Sequence, residues 1–330
     1  MVRLRRVSPS MAGWKRLKHG RGFRYVGTDG AALEPVDVAR CKELVIPPAW
    51  TNVWICPVPN GHLQAVGTDA AGRKQYLYHP AWRERRDAEK FVHMEQFATA
   101  LLRRRKAVRD RIGDEPDLET VCAATFGLLD LGMFRIGSGR YTEENGSYGL
   151  TTLHTEHVER TENGIAFCYT AKSGQQVEVT VRDELLVGVL DRLRRRRSGG
   201  PELLAWREGG TWHDLDASHV NDYVKATLGE EFSAKDFRTW RGTVIAAAEL
   251  SVADGSTKTS RKRSVSAAMR TVGEHLGNTP AVARSSYVDP RVVDLFEDGI
   301  AVTSGHRAIA PGEPVPRTLE KQVLELLGKA

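Results

Sequence analysis

The chain changes to helical periodicity near residue 83, and this change limits its architecture more than any other feature. Before it, GFRYVG, VWICPV, HLQAVG and KQYLYH are short apolar or aromatic runs separated by the turn-forming strings TDG, PNG and TDAAGR. That spacing predicts short antiparallel strands joined by tight turns. Pro47 and Pro48 break any helix near the middle of the stretch. After it, RRDAEKFVHMEQFATALLRRRKAVRDRI sets Phe91, Met94, Phe97 and Leu101 at helical spacing. Helical signals continue in LETVCAATFGLLDLG, DELLVGVLDRLRRRR, TWRGTVIAAAEL and RSVSAAMRTVGEHL. One β interruption falls among them: GIAFCYTA and QVEVTVRD alternate on either side of Lys172-Ser173-Gly174, the signature of a hairpin. APGEPVP then links to a short terminal helix over residues 317–328. The expected fold is α+β, with a small, twisted β-rich domain over 1–85 and a larger, mainly α domain over 86–330. A length of 330 residues suits two domains.

The formal net charge is +6, and the positive charge is clustered in LLRRRKAVRDR (101–111), DRLRRRR (191–197) and SRKR (260–263). One such run is often a solvated helix face. Three in one chain point to a polyanionic partner. The four cysteines, Cys41, Cys56, Cys122 and Cys168, have no metal-site spacing and read as thiols in a reducing compartment. The basic N-terminus lacks the apolar stretch of a signal peptide, and no window has the length of a membrane span. A cytoplasmic protein is expected. GSGR (137–140) is too short to be a nucleotide-binding loop, so ATP is not expected. His154 and His157 in LHTEHVE do not form the HExxH zinc pattern and are expected on a helix surface. The carboxylates show no cluster for divalent metals.

The chemistry centres on LGNTPAVARSSYVDP, which ends in Tyr287. Gly277 stops one helix, and Thr279-Pro280 starts the next as N-cap and first helical residue. This puts Asn278 on the connecting turn and Tyr287 on the new helix, on the face of Pro280 and about 12 Å beyond the turn. Helical side chains lean towards the N-terminus, so the phenol and the amide can converge on one phosphate. A phenol has an unperturbed pKa of about 10 and needs nearby positive charge to act as a nucleophile at neutral pH. Arg135, after the apolar run LLDLGMF, and Arg238, in SAKDFRTWRG, suit that task because guanidinium forks match phosphate oxygens. Lys172 stands at the hairpin turn, where a long side chain reaches away from the sheet.

The order Arg135, Lys172, Arg238, Asn278, Tyr287, with its local strings, resembles the active-site pentad of type IB DNA topoisomerases, in particular the compact poxvirus-like branch found in bacteria. The resemblance covers nearly the whole chain. It implies a catalytic domain of the tyrosine recombinase/topoisomerase IB type and a two-domain clamp around duplex DNA. It also implies cleavage of one strand through a 3′-phosphotyrosyl intermediate, strand rotation and religation, with no nucleotide, metal or other cofactor. In the family the lysine matching Lys172 protonates the departing 5′ oxygen. Asn278 departs from the histidine common in relatives; asparagine can donate a hydrogen bond but cannot shuttle a proton. GRKQYLYH resembles the family's major-groove reading segment and offers Gln75, Tyr76 and Tyr78. An alternating strand puts the two tyrosines on one face with Gln75 opposite. Arg140, Tyr141 and Thr152 are implied DNA backbone contacts, and Lys235 matches a basic position of the family. A monomer acting at the nucleoid is expected. The main alternative is a tyrosine recombinase or integrase. Those enzymes carry His-x-x-Arg at the second arginine, where this chain reads Lys235-Asp236-Phe237-Arg238. A non-catalytic DNA-binding protein would explain the charge but not the five suitable groups together.

Overall fold

A computed structural model describes residues 3–139, 142–143, 146–303 and 309–329. The chain divides into two compact units, Met1–Val92 and His93–Ala330, and the division falls inside one long helix, Pro80–Arg109.

The first unit holds a five-stranded antiparallel sheet in the order β2-β1-β3-β4-β5. Its strands are β1 (Trp14–His19), β2 (Gly22–Val26), β3 (Thr51–Ile55), β4 (Leu63–Thr68) and β5 (Lys74–Tyr78). β2 to β5 match the four apolar runs. β1 was hidden because WKRLKH reads as basic, although Trp14 and Arg16 alternate inward. Buried Arg16 donates to the carbonyls of Ile46 (2.8 Å), Pro47 (2.9 Å) and Trp50 (2.8 Å), so this cation holds a loop against the sheet. The unit also contains a helix, α1 (Pro35–Glu43), just before the proline pair. Pro35 opens it, Asp37 lies in its first turn, and Arg40 and Lys42 lie in its last, which suits the helix dipole. Its Cys41 is buried with Trp14, Ile46, Val53, Ile55 and Ala65 in a small core.

The second unit is mainly helical. Helix α2 (Pro80–Arg109) buries Met94, Phe97 and Leu101, as their spacing requires. Helix α3 (Leu118–Asp130) starts where Asp117 accepts the Thr120 N–H at 2.8 Å. A three-stranded antiparallel sheet follows, with β7 (Gly164–Ala171) between β6 (Val158–Thr161) and β8 (Gln175–Val181). Helix α4 (Glu184–Arg194), the hairpin β9 (Ala205–Glu208) and β10 (Thr211–Asp214), and helix α5 (Ala217–Leu228) lead to α6 (Ala234–Ser251). Helix α6 is buried along most of its length and forms the middle of the core. Helices α7 (Lys258–Leu276), α8 (Pro280–Ser286), α9 (Pro290–Glu297) and α10 (Arg317–Leu327) complete the unit. The terminal helix α10 joins the core: Leu319, Val323, Leu326 and Leu327 are buried.

Several cations of the first two basic runs are engaged within the fold. Arg105 pairs with Asp130 (2.5 Å) and Glu320 (2.6 Å), Arg109 with Asp183 (2.6 Å), and Arg194 and Arg195 with Asp191. Arg196 donates to the carbonyls of Leu193, Gly200, Glu202 and Leu203. Asp130, Asp183 and Glu320 are distant in sequence from their arginines, so the charge runs alone overstate the surface left for a polyanion. His154 and His157 are not on an α-helix. His154 caps a single 3₁₀ turn that His157 ends, and both join a ring cluster, with the Tyr148 ring 4.3 Å from that of His157 and 5.3 Å from that of His154. No helix among the described residues is long and apolar enough to cross a membrane.

Candidate active site

The C-terminus of α7 organises the site. Gly277 closes the helix at φ 58°, the left-handed conformation that favours glycine, and a Cβ there would lie 2.7 Å from Gln175 Oε1. The helix ends with carbonyls that lack intrahelical donors and carry partial negative charge. Two arginines fill that role. Arg135 Nη2 donates to Gly277 O and to Asn278 Oδ1, both at 3.0 Å. Arg238 donates from Nη2 to Leu276 O and from Nη1 to Met133 O. Asn278 Nδ2 donates to Leu276 O at 3.0 Å. This bonding sets the orientation of the amide, since only its oxygen can accept from Arg135, and leaves one N–H of the amide over.

Arg238 is 4 % exposed, and its Nε–H has no hydrogen-bond partner among the described residues. Burial, reinforced by the charge of Arg135, lowers its pKa to about 10, and Tyr287 partly offsets this. The group therefore stays cationic at neutral pH. Its guanidinium carbon lies 5.2 Å from the centroid of the Tyr287 ring. Tyr287 is half-buried. It caps α8 rather than continuing it, with φ −127° and ψ −8°, and its N–H donates to Ala283 O at 3.0 Å. The expected placement within the helix is thus off by one position, because the helix ends at Ser286.

Three further residues that residue order did not single out shape this arrangement. Gly242 lets α6 approach: a Cβ there would lie 2.6 Å from Tyr287 O and 3.1 Å from Tyr287 Cβ. A lone glycine in TWRGTVIAAAEL is the kind of signal that marks such a contact. Thr243 Oγ1 donates to Thr239 O (3.0 Å), lies 3.4 Å from Tyr287 O, and accepts the Asp289 N–H (3.1 Å). Tyr169 of β7 is buried; burial pushes its phenol up to about 12, against the pull of Arg135 and Arg238. With Arg135, Gln175 and His275 it lines a cavity of about 140 Å³.

The structure therefore brings Arg135, Arg238, Asn278 and Tyr287 into one network. Lys172 stands at the exposed tip of the β7–β8 hairpin, where Ser173 and Gly174 have φ of 68° and 74°. Gln175 of the same hairpin reaches Gly277. Lys235 is exposed in the first turn of α6, one helical turn before Arg238. Thr152 Oγ1 accepts the Gly149 N–H at 3.0 Å and lies 3.1 Å from Thr142 Oγ1, so it organises its own loop. Arg140 and Tyr141 lie outside the described residues. In the first unit, Tyr76 (46 % exposed) and Tyr78 (36 %) share one face of the edge strand β5, their rings stacked at 6.3 Å. Gln75 lies on the other face and donates to Asp69 at 2.8 Å. Among the described residues, no three His, Cys, Asp or Glu side chains stand together as a metal site.

Residues 79–304 match the family model described as eukaryotic DNA topoisomerase I, catalytic core. Residues 22–69 match that of the bacterial DNA topoisomerase IB N-terminal domain. The chain is 29% identical to DNA topoisomerase 1B of Acanthamoeba polyphaga mimivirus, over 97% of this chain and 98% of the relative. It is 22% identical to DNA topoisomerase 1B of Vaccinia virus (strain Copenhagen) over 71% of this chain and 72% of the relative, and equally similar to DNA topoisomerase I of Monkeypox virus.

Proposed function

The chain belongs to the type IB DNA topoisomerase family, and on that premise we propose that Tyr287 is the nucleophile with which it opens one strand of duplex DNA. The enzyme is a DNA topoisomerase that relaxes supercoiled duplex by cutting, rotating and resealing a single strand. The roles of individual residues, and the closing of the two units around DNA as a clamp, belong to this proposal.

The observation that carries the site assignment is the buried guanidinium of Arg238 beside the Tyr287 ring, 5.2 Å away, with its Nε–H unpartnered among the described residues. A buried donor left unpaired costs about 1–3 kcal/mol, and a phosphate oxygen would satisfy it. The Tyr287 hydroxyl gives up its proton to solvent, its oxygen attacks phosphorus, and the bond to the 5′ oxygen breaks. The phosphate stays on Tyr287 at the 3′ end. Arg135, Arg238 and the remaining N–H of Asn278 hold the non-bridging oxygens, where charge accumulates in the transition state. Lys172 protonates the leaving 5′ oxygen, and Lys235 supports that step. After rotation the 5′ hydroxyl attacks the phosphotyrosyl group and releases Tyr287. The covalent link conserves the energy of the phosphodiester, so the cycle calls for neither nucleotide nor metal. Tyr76, Tyr78 and Gln75 contact the major groove, while Arg140, Tyr141 and Thr152 contact the backbone. The chain acts as a monomer in the cytoplasm, at the nucleoid.

The test is relaxation of supercoiled plasmid in EDTA without ATP, run beside Tyr287→Phe. Relaxation by the wild type alone, with protein trapped on a 3′ end, is expected. A well-folded wild type that binds DNA without relaxing it would overturn the reading.

A further inference from the structure

The third basic run lies on α7, the helix that ends at the candidate site. On α7, Val265, Ala268, Met269, Val272 and Leu276 turn into the core, while Lys262, Arg263, Ser266 and Arg270 are on the surface. At about 100° per residue these positions, together with Thr259, fall on one face of the helix. They line an open cleft of about 510 Å³. A second cleft of the same size shares Arg270 and continues past Gly273 to Gly277, Asn278 and Gln175. The face is therefore continuous with the turn that holds Arg135 and Arg238. Two acids border it: Asp254, whose carboxyl feels the charge of Arg263, and exposed Glu274 at the end nearer the site. The positive charge dominates between them.

We propose that this face of α7 is a track that leads the phosphates of one DNA strand to Tyr287. The proposal rests on the assignment of the active site above and adds the path by which the substrate strand reaches it. From Lys262 to Leu276 the helix rises about 20 Å, a length over which one strand of B-DNA presents about six phosphates. Lys262, Arg263 and Arg270 contact phosphates, and the hydroxyls of Thr259 and Ser266 add neutral contacts. Phosphate contacts position the duplex without reading its sequence, so the track sets register and affinity rather than base preference.

The test compares a Lys262→Gln/Arg263→Gln/Arg270→Gln variant with a control that removes the same charge elsewhere, Arg103→Gln/Arg104→Gln/Lys106→Gln on α2. Binding to a linear duplex is measured across salt concentrations. Each lost phosphate contact lowers the slope of log K against log salt by about 0.9, so the α7 variant should lose about 2 to 3 and the control less than 1. Arg270→Gln alone should lose about 0.9, which keeps the test open if the triple variant folds poorly. An unchanged slope, or an equal fall in the control, overturns the proposal. Wild-type plasmid relaxation and trapping of the 3′-linked protein, measured in parallel, report on the active-site reading independently of the slope.

Discussion

Arg135 donates to the amide oxygen of Asn278 at 3.0 Å, although 143 positions separate them. The same Nη2 also reaches Gly277 O, so a single guanidinium fastens the turn that ends α7. Asn278 therefore does two things: its oxygen accepts from Arg135, and its amide nitrogen is bonded to Leu276 O with one hydrogen left over.

Because asparagine does not titrate, the cleavage rate should show no inflection near pH 6.5 that originates at Asn278. Asn278→His should introduce one, and Asn278→Ala should lower single-turnover cleavage by about 100- to 1000-fold, as loss of a preorganised donor does. Rate–pH profiles of the three proteins on one suicide substrate check this.

Gly242→Ala should damage activity from outside the reacting groups. The new Cβ would stand 2.6 Å from Tyr287 O, so α6 or the tyrosine must shift. Overpacking of this kind costs about 1–3 kcal/mol, and displacement of a reacting group by about 1 Å costs about 100-fold in rate. Thermal melting and cleavage kinetics together separate the two effects; full activity would show that the contact is slack.

Tyr169 makes stability sensitive to alkali. Its folded pKa, about 12, lies above its ordinary value of 10.0, so the neutral phenol is the form the fold favours. The stabilisation is complete below pH 10 and is lost as pH rises towards 12, amounting to about 3 kcal/mol. Tyr169→Phe should lose less stability than the wild type between pH 9 and 11.5 in urea titrations.

Glu320 locks the terminal helix. It is 1 % exposed, pairs with Arg105 at 2.6 Å and accepts from Trp240 Nε1 at 2.9 Å. Burial works against the charge of Arg105, yet Asp130 and Glu320 hold its pKa above the ordinary value. Glu320→Ala removes one of these carboxylates and should cost about 3–5 kcal/mol. Glu320→Gln, which can still accept from Trp240, should cost less. Urea unfolding midpoints give the comparison.

Much of the fold was legible in residue order because its signals are local. The α7 stop at Gly277, the Thr279-Pro280 start and the turn at Lys172-Ser173-Gly174 depend on the backbone chemistry of a few adjacent residues. Several local elements escaped, among them β1, whose basic side chains mask its alternation, and α1, which is short and stands before a proline pair. The types and order of Arg135, Arg238, Asn278 and Tyr287 were equally visible in the chain. Their convergence was not. It depends on the carbonyls of Met133, Leu276 and Gly277, which have no side-chain signature, and on a missing Cβ at Gly242. The basic runs make the same point in reverse: Arg105 finds Glu320 across 215 positions and becomes structural, whereas Lys262, Arg263 and Arg270 remain on the surface. Sequence determined the elements and the chemical groups available to this protein, because propensity and periodicity act over a few residues. Tertiary structure decided which cations meet a carboxylate, which meet a helix end, and which are left facing outward, because those pairings are made by packing between elements far apart in the chain.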